Sequence, residues 1–303
     1  MIDKGKIAVV GSSNTDLVVK AERMPEPGET ILGGAFMMTA GGKGANQAVA
    51  VARLGGNVTF IARVGNDMFG DQSVEGYKKD GMDTSYIARD AQTPSGIALI
   101  CVDKKGENSI VVASGANNRL CKSDIDAAKS QIESADYLLM QLEVPMEVVE
   151  YTANIAVASG TKVVLNPAPA ATLSADLLKK LYLITPNKPE SQLLTGIAVA
   201  GWNDAEQAAD ILLSKGVENV IITLGALGAL IKNKILTERV PSQTVEVVDT
   251  TAAGDTFNGA LCVALSEGKG LVDAVQMATA ASAIAITRMG AQASIPYRKE
   301  IHN

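Results

Sequence analysis

Short, unbroken apolar runs recur along the chain at residues 7–10, 58–62, 137–142, 163–165, 181–184 and 220–224. Each is bounded by polar residues or by Gly and Pro. A strand with one face in water alternates apolar and polar positions. Continuous runs of this length therefore predict strands covered on both faces, as in a parallel sheet. Helical patterns fall between them. Residues 43–54 carry small apolar side chains at helical spacing and stop at Gly55 and Gly56. Asn203-Asp-Ala-Glu206 resembles a capping box opening a helix to Leu213, with Gly216 just past its end. The alternation predicts an α/β fold with a doubly wound, mostly parallel sheet in three layers.

Two stretches break that rhythm. Residues 17–40 and 95–113 read as extended segments punctuated by Pro25, Pro27, Gly28, Gly33, Gly34, Gly96 and Gly106. Strand-like runs at 97–102 and 110–113 have no helix between them. They predict either a small separate sheet, inserted in the main domain and able to act as a lid, or an antiparallel edge of the main sheet. The expected organisation is one large domain over 1–303 with an insertion.

A chain of 303 residues that is 47% hydrophobic can bury a large core. Aromatics make up only 4%, and abundant small residues suit helices packed closely on a sheet. The net charge of -6 and the lack of a Lys/Arg cluster argue against nucleic acid. Cys101, Cys121 and Cys262 are odd in number and far apart, and read as reduced, buried thiols. The opening residues hold too short an apolar stretch for a signal peptide, and residues 277–286 fall short of a membrane span. A cytoplasmic, membrane-free protein is expected. The one histidine, His302, sits near the end of the chain, so a mechanism built on a Ser-His or Cys-His pair is excluded.

In an open α/β sheet, ligands gather at the carboxyl ends of strands. Asn14 and Asp16, Glu143, Asn166, Asn187 and Gly225 follow successive apolar runs. Gly41-Gly42-Lys43-Gly44-Ala45-Asn46 is a glycine-rich turn opening a helix, whose free amides could hold an oxygen-rich ligand. It is not a Walker A loop, because Gly44 stands where Ser or Thr is needed and Met37 where the first Gly is needed. Asp249-Thr-Thr-Ala-Ala-Gly-Asp255 ends in small residues and opens a helix from about 254 to 267. Free amides there would offset charge on a transferring phosphoryl group, and Asp255 could take a proton from an alcohol. Asn187-Lys-Pro-Glu190 is itself close to a capping box, which from the residues alone is the favoured role; the functional alternative has Asn187 facing phosphate oxygens and Glu190 facing water held by Mg²⁺. No GxGxxG fingerprint is present.

The Gly-Gly-Lys-Gly-Ala-Asn and Asp-Thr-Thr-Ala-Ala-Gly-Asp-Thr-Phe motifs together resemble the ribokinase-like (PfkB) carbohydrate kinase family, from end to end of the chain. The resemblance implies ATP-dependent phosphorylation of a sugar, with O5 of D-ribose as the first candidate. Another sugar, a nucleoside, or sugar binding without catalysis are the alternatives. It implies that Asn14, Asp16, Gly42, Lys43, Asn46 and Glu143 bind sugar, with Asp255 as the catalytic base. Ala252, Ala253, Gly254 and Asp255 would form the anion hole. Asn187, Thr223, Gly225, Gly228, Gly254 and Thr279 would contact ATP. Glu190 would serve Mg²⁺, while Asp249, Thr251, Ala285, Arg288, Gly290 and Ser294 would surround K⁺. Paired lids would make a homodimer.

Overall fold

A computed structural model of the chain describes residues 5–105 and 107–301; Gly106 and His302 lie outside the described residues. The strands are β1 (Lys6–Val10), β2 (Asn14–Lys20), β3 (Phe36–Gly41), β4 (Asn57–Gly65), β5 (Ile87–Asp90), β6 (Gly96–Val102), β7 (Asn108–Ala113), β8 (Tyr137–Met140), β9 (Lys162–Leu165), β10 (Leu181–Ile184), β11 (Asn219–Thr223), β12 (Ala229–Lys232) and β13 (Thr237–Val240). The helices are α1 (Lys43–Arg53), α2 (Met68–Lys79), α3 (Lys122–Ala127), α4 (Lys129–Glu133), α5 (Met146–Ser159), α6 (Ala175–Leu178), α7 (Lys188–Thr195), α8 (Trp202–Ser214), α9 (Ala253–Ser266) and α10 (Leu271–Ala285).

Every apolar run forms a strand of one sheet, ordered β13-β12-β11-β10-β9-β8-β1-β4-β5. All neighbours pair in parallel except β12 and β13, which close one edge antiparallel. Successive side chains divide between two cores, which is why the runs are continuous. Ile7 and Val9 join one core while Ala8 and Val10 join the other, and Leu139 and Leu138 split the same way. One face is covered by α1, α9 and α10, the other by α3 to α5 and α8. Small residues bring α1 and α9 together: a Cβ added at Gly259 would lie 2.5 Å from Ala50 Cβ.

The segments that broke the rhythm form a separate four-stranded sheet, β3-β2-β6-β7. β2 pairs antiparallel with β3 and parallel with β6, and β7 runs antiparallel to β6. At the root of this sheet Asn14 is paired with Gly41 on one side and Gly96 on the other. Alternation sends Asp16, Val18, Met37, Ile100 and Ile110 toward a cleft against the main body. Val19, Phe36, Met38, Leu99 and Val111 alternate with them, and all are exposed.

Local details differ from expectation. The helix expected to be capped by Asn203 starts two residues earlier, with Gly201 as its N-cap and the Asp204 carboxylate accepting from Ala200 N and Gly201 N. The acid one turn in captured the amides, not Asn203. Of the cysteines only Cys262 is buried; Cys101 and Cys121 are partly exposed. No helix among the described residues is long and apolar enough to cross a membrane.

Candidate active site

The turn into α1 is shaped by contact with β1 and β2. Gly42 caps the helix with φ of 89°, and a Cβ there would stand 2.7 Å from Asn14 N, so glycine alone fits. The first amides of α1 are already taken. Lys43 N donates to Glu143 Oε2 (3.0 Å), Gly44 N to Ser12 Oγ (3.3 Å) and Ala45 N to Ser12 O (2.8 Å). The expectation that free amides of this helix face a ligand is corrected: the turn presents the side chains of Lys43 and Asn46. Glu143 also accepts from Ser12 Oγ at 2.5 Å, so it braces the helix start as well as bordering the site.

Asn14 and Asp16 enter from β2. Asn117, beyond β7, donates through Nδ2 to Asn14 Oδ1 at 2.7 Å, which fixes the Asn14 amide and leaves its NH₂ without a partner among the described residues. Asp16 lines the cleft under the small sheet, a cavity of about 770 Å³. Burial, then the Glu143 and Asp255 carboxylates, push its acid up to about 6, with Lys43 opposing.

Asp255 stands in the first turn of α9 and is 6% exposed. Its Oδ2 accepts from Asn46 Nδ2 (2.9 Å) and its Oδ1 from Gln47 Nε2 (3.0 Å). Ala252 caps α9 in the left-handed region, with φ of 58° and ψ of 12°, and is the only non-glycine residue with positive φ among those described. That turn aims main-chain amides outward. The Ala252, Gly254 and Asp255 amides have no partner among the described residues, whereas Ala253 N donates to Thr250 O at 3.2 Å. The expected four-amide cradle is therefore three amides, with helix-start polarity behind them.

Lys43, Asn187, Glu190, Ala252, Ala253, Gly254 and Asp255 border a junction cavity of about 190 Å³. Burial works against the Lys43 charge, but Asp255, Glu143, Glu190 and Asp16 outweigh it and hold the ammonium above its usual range. Burial raises the Glu190 acid, despite bonding from Asn187 and the Lys43 charge. The Asn187 capping box is complete: Glu190 N donates to Asn187 Oδ1, and Asn187 N and Nδ2 donate to the Glu190 carboxylate, each at 2.9 Å.

Beyond the junction, and sharing Asn187, Thr223 and Gly254 with it, opens another cavity of about 770 Å³. Gly225, Gly228 and Thr279 line it, with apolar walls from Val245, Val247, Phe257, Ala283 and Ile286. Thr279 Oγ1 is buried there without a partner among the described residues.

Of the remaining expected residues, Asp249, Thr251 and Gly290 come together. Asp249 Oδ1 accepts from Thr251 N (2.9 Å) and Oγ1 (2.6 Å), and Oδ2 accepts from Gly290 N (2.8 Å). Those bonds override burial and hold the Asp249 acid below its usual range. The Arg288 guanidinium turns away to Glu300 (2.6 Å), its amide bonds the Ala285 carbonyl, and Ser294 Oγ bonds Ala291 O. Sequence reasoning missed Gln47, Gln141 and Asn117, because amides inside a helix or at a strand end read as ordinary fillers.

A buried carboxylate beside unpaired helix-start amides, with a cleft on one side and an apolar-walled cavity on the other, defines an α/β phosphotransferase-type site. The chain matches the pfkB family carbohydrate kinase model over residues 4–298. It is 46% identical to a ribokinase of Haemophilus influenzae, covering 97% of this chain and 96% of the relative. A ribokinase structure from Thermotoga maritima superposes with a TM-score of 0.91 at 42% identity, covering 98% of each chain. An Arabidopsis thaliana ribokinase complexed with ribose and ATP also superposes at 0.91, with 31% identity over 98% of this chain and 97% of that one. The chain belongs to the pfkB family of carbohydrate kinases.

Proposed function

We propose that this protein transfers the γ-phosphoryl group of ATP to O5 of D-ribose, giving D-ribose 5-phosphate and ADP. One observation carries the reading: the Asp255 carboxylate, held by Asn46, sits at the junction beside Lys43 and the unpaired amides of Ala252, Gly254 and Asp255. Ribose occupies the cleft under the small sheet, its hydroxyls donating to Asp16 and accepting from Asn14 and Lys43. The buried, unpaired Asn46 Oδ1 receives a further hydroxyl. ATP fills the apolar-walled cavity, its base among Val245, Val247 and Ile286 near Thr279, and its phosphates toward Asn187 and Gly225. Asp255 takes the O5 proton as O5 attacks in line. The free amides and Lys43 stabilise the migrating charge.

Mg²⁺ fits this site through Glu190. Both of its oxygens already accept from Asn187, so it would hold the ion through water. The ion would neutralise phosphate charge. K⁺ fits beside Asp249, a fixed anion bonded to Thr251 and Gly290, and Ala285, Arg288 and Ser294 would complete its surroundings. Arg288 would contribute its carbonyl, since its guanidinium is engaged with Glu300. The ion would support the charge of the neighbouring amides. The exposed outer face of the small sheet supports a homodimer in which that sheet acts as a lid.

The deciding experiment is ADP release with Mg²⁺, K⁺ and a panel of ribose, 2-deoxyribose, fructose and nucleosides. Ribose is expected to give the highest kcat/KM. Preference for another acceptor would overturn the substrate, and sugar binding without turnover would overturn the enzyme.

A further inference from the structure

Gln47 is fully buried on α1, one residue past Asn46, and lines none of the three cavities. Its Nε2 donates to Asp255 Oδ1 and to Asn166 Oδ1, each at 3.0 Å. Its Oε1 accepts from Gln141 Nε2 at 2.6 Å. Gln141 and Asn166 directly follow β8 and β9, and Asn166 Nδ2 reaches the Thr185 carbonyl beyond β10 at 3.3 Å. Three adjacent strand ends thus hold one amide, and that amide holds the carboxylate.

The direction of this chain is set. A primary amide donates from one end and accepts at the other. Asp255 Oδ1 and Asn166 Oδ1, the latter fixed by the Asn166 bond to the Thr185 carbonyl, both need a donor, so Gln47 keeps its NH₂ toward them and its oxygen toward Gln141, whose own Oε1 has no partner among the described residues. Reversed, it would set oxygen against carboxylate and NH₂ against NH₂. Asn46 differs from Gln47: its Oδ1 has no partner among the described residues, so that oxygen is free to serve a substrate. The Gln47 bond, out of reach of either cavity, persists whatever is bound.

We infer that Gln47 is a positioning residue for phosphoryl transfer, fixing which oxygen of Asp255 faces the acceptor hydroxyl. The inference rests on the reading of Asp255 as the base. Rotation of the carboxylate about its own bond is stopped on one oxygen by a donor that never touches substrate, and on the other by one that does. Removing the first leaves Asp255 tethered through Asn46 alone, whose amide also has to follow the sugar hydroxyl at its Oδ1.

Gln47→Met keeps length and volume and removes the donor. Its kcat should fall about 10- to 100-fold, the scale of one hydrogen bond to a charged group, with KM for sugar and ATP within about threefold. Calorimetry should still count one sugar site per chain, which separates mispositioning from a smaller folded fraction. In the Asp255→Asn background the same change should add almost nothing, because the carboxylate it orients is gone. Should Gln47→Met fail to fold, Gln141→Met carries the test: it leaves the Gln47 bond to Asp255 in place but removes the donor that anchors the Gln47 oxygen, so kcat should fall in the same direction by a smaller factor. Unchanged kcat, or a loss that simply multiplies with that of Asp255→Asn, would overturn the inference. If Asp255→Asn itself keeps kcat, the reading of the base fails instead.

Discussion

Asn46 Nδ2 lies 2.9 Å from Asp255 Oδ2, joining residues 209 positions apart in the chain. A sugar-facing amide on α1 and a carboxylate on α9 therefore move as one, and the apolar packing of those helices sets their distance. Asp255→Asn keeps the shape of this contact and removes the proton acceptor. The variant should bind ribose within a few-fold of wild type and lose about 10²- to 10⁴-fold in kcat, measured by ADP release and calorimetry.

At Gly254 an added Cβ meets nothing within 4 Å, so it would project into the junction. Helix positions prefer alanine to glycine by about 0.5–1 kcal/mol. Gly254→Ala should hold or raise the melting temperature of the free protein while cutting kcat by about tenfold or more through steric block of the migrating group. A stable, fully active variant would show that no phosphate passes this point.

Asp16 gives the pH dependence its sign. Its acid is raised from 3.8 to about 6 in the folded protein. That group's contribution to stability is complete below 3.8 and is lost as pH rises through about 6. Sugar hydroxyls donate to the ionised form, so ribose affinity should improve from pH 5 to 7. Asp16→Asn should flatten the stability slope and weaken ribose binding, read by melting curves and calorimetry across that range.

The Asp249 loop predicts cation dependence. Replacing K⁺ with Na⁺ should lower kcat with little change in ribose KM, because the loop adjoins the amides and not the sugar contacts. Asp249→Ala should remove the difference between the two ions, and equal rates in wild type would remove the cation from this loop.

Outward on the small sheet, Val111 is 66% exposed and Phe36 64%. Val111→Glu should leave the main domain folded and halve the mass seen by light scattering. An unchanged mass would place any dimer contact elsewhere.

The central strands were legible because burial on both faces leaves an unmistakable apolar run, as at 7–10 and 220–224. The edges were not: Thr237–Val240 reads TERV and Ile87–Asp90 reads IARD, since half of each faces water or a partner charge. The glycine motifs marked where Lys43, Asn46 and Asp255 meet. What they could not mark was which amides stay free. Lys43, Gly44 and Ala45 are satisfied by Ser12 and Glu143, residues whose approach depends on the tertiary fold.

The 190 Å³ junction has room for roughly six waters. A base able to deprotonate an alcohol can also deprotonate one of these, so an occupied cleft guards the nucleotide by evicting a rival nucleophile. Idle hydrolysis of ATP should therefore be suppressed by any sugar that fills the mouth of the junction, even one whose hydroxyl cannot reach.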